Sequence, residues 1–131
     1  MEPDFKALAA QDPGSWEGIC RLLADISFWW REPAYSGSWL AAARIGDEPV
    51  LFWGSFGSCS GCDSLEAADG DDDEVARLIR SVWEGRAVGA EAVVAELERI
   101  GNDAWSDGAR DAAIAAANTL GMSITLMEVE P

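Results

Sequence analysis

Cys59 and Cys62 form a Cys-x-x-Cys pair inside the loop Gly54-Ser55-Phe56-Gly57-Ser58-Cys59-Ser60-Gly61-Cys62. That spacing serves zinc half-sites and redox dithiols alike, because both need two sulfurs within reach of one centre. A structural zinc ion takes four nitrogen or sulfur ligands. The chain has no histidine and, besides this pair, only Cys20. A complete metal site would therefore need Cys20 plus a carboxylate such as Asp63, or two chains each lending Cys59 and Cys62. Immediately after the pair comes a dense run of acids that includes Asp63, Asp69, Asp71, Asp72 and Asp73. Asp69-x-Asp71-x-Asp73 alternates oxygens as a calcium loop does, but the glycine after the third acid and the glutamate at the loop's end are missing. Acids at this density also raise the pKa of a nearby thiol, which works against a reactive thiolate.

A second group is aromatic. Trp29, Trp30, Tyr35 and Trp39 crowd one passage with Phe28 beside them. Such residues usually fill a core, and the alternative is an exposed patch for a partner or a planar ligand, with Arg31 and Arg44 as anion contacts. Tandem Trp29 and Trp30 cannot easily point the same way, so one of them is an interface candidate.

The charge balance narrows the partners. With 24 acids against 9 bases the net charge is −15, which repels phosphate backbones and favours basic partners. Direct nucleic-acid binding is not expected, and no cofactor is implied. Scarce lysine beside abundant arginine and alanine fits a GC-rich or salt-adapted genome equally well. The acidic N-terminus lacks the pattern of a signal peptide, and no run approaches a membrane-spanning length. A cytoplasmic protein with reduced thiols and no membrane association is the expectation.

Those residues need elements to hold them. The 131 residues suit a single α+β domain, 1-131, with a small antiparallel sheet packed against about four helices. Asp12-Pro13 reads as a helix start, with Trp16, Ile19, Leu22, Leu23 and Ile26 at helical spacing. A weaker pattern over Asp4 to Ala10 suggests a short helix before it. SFWWREPAYSGS reads as an irregular loop. Trp39 to Arg44 and Pro49 to Trp53 read as a hairpin around Gly46-Asp47, the second strand apolar on both faces. Helices follow from Asp73 to a left-handed cap at Gly85, from Ala90 to Ile100, and from Ser106 toward Gly121. The last of these is alanine-rich, which leaves room for close packing or a homodimer. MSITLMEVEP has the texture of a final strand that pairs with the hairpin.

Two resemblances bear on function. Pro49 to Leu65 resembles the strand-to-active-site passage of thioredoxin-like proteins, which implies Cys59 as attacking and Cys62 as resolving thiol. The likeness stops after Cys62, where an amphipathic helix gives way to polar residues broken by Gly70. Tyr35 to Glu74, with Tyr35-Ser36-Gly37, the hairpin and the Gly-Ser-Cys-Ser-x-Cys loop followed by acids, resembles a group of small bacteriophage-type proteins. That resemblance implies an accessory protein aimed at host machinery and assigns no catalytic residue. The leading expectation is a non-enzymatic protein that binds a basic host protein through Trp29, Trp30, Tyr35, Trp39 and the acids Asp63, Asp69, Asp71, Asp72 and Asp73. A small-ligand module for an anion or nucleotide, and a dithiol oxidoreductase using Cys59 and Cys62, are the alternatives.

Overall fold

In the computed structural model, residues 2–57, 63–68, 70–103 and 108–127 are described. The chain runs α1 (Phe5–Ala9), α2 (Trp16–Leu23), β1 (Ile26–Arg31), β2 (Gly37–Ile45), β3 (Glu48–Phe56), α3 (Ser64–Ala67), α4 (Asp72–Glu84), β4 (Ala87–Val88), α5 (Ala90–Gly101) and α6 (Ala109–Thr119). The sheet is antiparallel with strand order β1-β2-β3-β4. An α+β architecture with an antiparallel sheet is thus what the sequence leads one to expect.

The hairpin is the part read most directly. Ile45 pairs with Glu48 across Gly46-Asp47. Gly46 takes φ +62 while Asp47 does not share a positive φ, the sign pattern of a Gly-first turn whose twist matches the strands it joins.

Helices cover both faces of the sheet, and successive residues of β2 and β3 serve opposite layers. Trp39, Ala41, Val50 and Phe52 pack with Phe5 and Ala9 of α1, Ile19 and Leu23 of α2, and Val75 and Ile79 of α4. Leu40, Ala42 and Leu51 face Val93 and Leu97 of α5 and the alanines of α6. Each fully buried large side chain contributes roughly 1.5–3 kcal/mol. The two layers together account for a strand pair that is apolar on both sides.

Five expectations are corrected. Asp12-Pro13 does not start a helix: Asp12 turns at φ +52, and Ser15 is the cap, its Oγ accepting the Gly18 N–H at 2.9 Å. The helix ends at Leu23, and Ile26 opens β1. Residues 27–31 of the expected aromatic loop belong to that edge strand, hidden because Ser27 is an extra residue between the Ile26–Ala43 and Phe28–Ala42 pairs. Such a bulge breaks the period-2 pattern, leaving Ile26 on one face and Phe28 on the other.

The last two corrections concern ends. Gly85 adopts φ −83, right-handed rather than left-handed, and its N–H closes on Ser81 O. The C-terminal strand does not form at residues 122–127; side chains satisfy that segment instead. Glu98 accepts the Thr125 N–H at 2.7 Å, Asn102 accepts the Met127 N–H at 2.8 Å, and Arg110 donates to Met127 O at 2.8 Å. The sheet's remaining strand is the two-residue β4, paired with Val50 and Leu51 and too short to leave a periodic signal. Short α1 and α3 raise the helix number among the described residues to six.

Candidate functional site

A cleft of about 900 Å³ opens on the α1/α2/α4 side of the sheet. Its wall is built by β1 and β2, which carry Trp29 and Trp39, and by Trp16 at the first position of α2. The three indoles form one stack. Trp16 and Trp39 have ring centroids 5.7 Å apart at 22°, and Trp29 and Trp39 have centroids 5.6 Å apart at 23°. Trp39, in the middle, is 2% exposed, whereas Trp16 and Trp29 are half-buried. Trp39 Nε1 is buried with no hydrogen-bond partner among the described residues. An unpaired buried donor is uncommon and costs roughly 1–3 kcal/mol.

Asp63 organises the cleft from within. It is 7% exposed. Its Oδ2 accepts the Gly57 N–H at 2.8 Å and the Trp16 Nε1–H at 3.4 Å. Its Oδ1 accepts the Leu65 and Glu66 N–H groups at 2.9 and 3.3 Å, capping α3. One carboxylate therefore joins the end of β3, the start of α3 and the indole of α2. A buried acid is tolerated because its lone pairs are taken by donors.

The remaining charges lie around this pin. Asp12, Glu17, Glu66 and Asp72 join Asp63 on the lining, making, among the described residues, five carboxylates against the one guanidinium of Arg31. Glu17 is engaged by Arg21 at 2.7 Å. The Arg31 guanidinium carbon lies over the Phe56 ring at 3.8 Å from its centroid. The side chains of Asp12, Glu66 and Asp72 make no hydrogen bond or ion pair with a described residue.

The structure brings Trp29, Trp39, Asp63 and Asp72 together here and leaves other candidates elsewhere. Trp30 packs in the opposite layer, near Gly108. Tyr35 is 88% exposed in the β1–β2 connection. Asp71 caps α4 through Asp73 N and Glu74 N, and Asp73 pairs with Lys6 at 3.5 Å. Arg44, weighed as an anion contact, donates to Leu120 O at 2.6 Å and to Asp47 O at 3.1 Å. Asp69, Cys59 and Cys62 lie outside the described residues.

Cys20, the third sulfur a zinc site would require, is buried on α2. Burial pushes its thiol from about 9.0 up to about 12, opposite to what a ligating thiolate needs. No group of three or more acids and cysteines able to hold a metal occurs among the described residues. Likewise, among them no helix is long and apolar enough to cross a membrane.

Sequence reasoning did not place Trp16, Phe56, Asp12 or Glu66 in the site. Trp16 was legible only as one position of an apolar helix face, and nothing local announces that it stacks on a strand tryptophan. Comparison with protein-family models, with curated proteins and with solved structures found no match.

Proposed function

We propose that the chain is a non-enzymatic accessory protein of bacteriophage type that binds a basic host protein in the host cytoplasm and inhibits or sequesters it. The observation that carries this reading is the cleft, in which the described residues place five carboxylates and one guanidinium around a stack of three tryptophans. Negative charge beside aromatic surface suits a cationic partner, since both ring faces and carboxylates attract positive groups. The net charge of −15 extends the same preference over the surface and disfavours nucleic acid. The likeness of Tyr35 to Glu74 to phage-type proteins supplies the biological setting.

The test is affinity capture from bacterial lysate at low and moderate salt, using the wild-type chain and a Glu66→Gln/Asp72→Asn variant. A basic protein held at low salt, released as salt rises and lost with the variant is the expected result. Partners held equally at every salt concentration and by both chains would overturn the proposal.

A small-ligand module is a second reading, favoured by a cleft of about 900 Å³, a volume in the range that small molecules occupy. The lining carboxylates argue against an anion or a nucleotide as that ligand. A thermal-shift screen separates the two readings, because a tight small ligand must raise the melting temperature.

A further inference from the structure

We infer that the cleft recognises arginine: a partner's guanidinium stacks on the outer indole face at one end of the tryptophan stack, that of Trp16 or of Trp29, while its N–H edge meets the carboxylates of Asp12, Glu66 and Asp72. This inference rests on the binding reading above and specifies what is bound.

Three observations point to a guanidinium among cations. The carboxylates of Asp12, Glu66 and Asp72 make no hydrogen bond or ion pair with a described residue, whereas those of Asp63 and Glu17 are already engaged. Trp16 and Trp29 are half-buried on either side of Trp39, so the stack keeps surface for a further flat group. The protein's own arginines stack on its rings, Arg31 over Phe56 at 3.8 Å in the cleft itself and Arg86 over Trp83 at 3.7 Å elsewhere. A guanidinium can lie on a ring and present N–H groups to carboxylates at once. An ammonium is a compact, strongly hydrated charge and cannot stack.

The experiment titrates the full chain with three blocked peptides, acetyl-Gly-X-Gly-amide with X as arginine, lysine or citrulline, followed by tryptophan fluorescence and calorimetry. The arginine peptide is expected to bind about five-fold more tightly than the lysine peptide and at least about ten-fold more tightly than the citrulline peptide. Glu66→Gln/Asp72→Asn changes two exposed side chains, and circular dichroism should show an unaltered fold while arginine affinity drops about ten-fold. Equal binding of citrulline or lysine, no binding of the arginine peptide, or full affinity in the double variant would each overturn the inference. Salt-dependent capture of a basic protein without arginine-peptide binding would overturn the arginine assignment and leave the broader proposal standing. Arginine-peptide binding without any basic protein partner would do the reverse.

Discussion

The indole of Trp39 lies across Gly54, its partner on the neighbouring strand, so closely that a Cβ at Gly54 would stand 2.7, 2.8 and 2.9 Å from Cζ2, Cε2 and Nε1 of the ring. The glycine is what allows the ring to rest on the sheet and receive Trp16 on one side and Trp29 on the other. Gly54→Ala should displace the indole and destabilise the fold by about 1–3 kcal/mol. Urea denaturation measures the cost, and near-ultraviolet circular dichroism should lose the signal of the coupled tryptophans. A spectrum identical to wild type would show that the close approach does not hold the stack.

Asp63 supports the same site through hydrogen bonds rather than packing. Asp63→Ala removes the acceptor of Gly57, Trp16, Leu65 and Glu66 at once, and should cost about 2–3 kcal/mol. Asp63→Asn keeps one acceptor oxygen and should fall between the two. Equal stability of all three chains in urea would exclude an internal role for this carboxylate.

Cys20 makes stability depend on alkaline pH. Its thiol is raised from about 9.0 to about 12 by burial, an effect larger than the opposing influence of Arg21. Above about pH 9 the unfolded chain releases this proton and the folded chain keeps it, so the unfolded state binds fewer protons. Stability then falls as pH rises from about 9 toward 12, with a limiting slope of about 1.4 kcal/mol per pH unit. Denaturation of wild type and Cys20→Ala under reducing conditions at pH 8 and pH 10 should show the steeper loss in wild type. Peptide-mapped thiol labelling should also leave Cys20 unmodified until the protein unfolds.

On the opposite layer the constraint is volume. Ala113 and Ala116 are fully buried where α6 meets α5 and the sheet. Ala116→Leu adds methylenes to a packed space and should cost about 1–3 kcal/mol. The thermal midpoint should fall while the cleft, on the other face, retains its tryptophan spectrum. A neutral outcome would mean that the two helices can part without penalty.

The hairpin and the later helices were legible because their signals are local: Gly46-Asp47 at the turn, Val75, Leu78 and Ile79 at helical spacing, Val93 and Leu97 likewise. The edge strand was not, because Ser27 interrupts its alternation and makes ISFWWR look irregular. Residues 122–127 have strand composition but no ladder, since Glu98 and Asn102 take the N–H groups of Thr125 and Met127. For the candidate site, Trp29, Trp39, Asp63 and Asp72 could be named from residue type alone. Trp16, Phe56 and Asp12 enter it through tertiary packing, which no short window of sequence encodes.

Neighbouring residues on β2 answer to different halves of the molecule, Trp39 to one layer of helices and Leu40 to the other. A slip of one position between β2 and β3 would exchange those loyalties, placing a leucine where the central indole belongs and driving the indole among the alanines of α6. The Gly46-Asp47 turn, at the far end of the hairpin from Trp39, therefore acts as the phase-setter of the cleft. Lengthening it by a single residue would disorder a cleft it never touches.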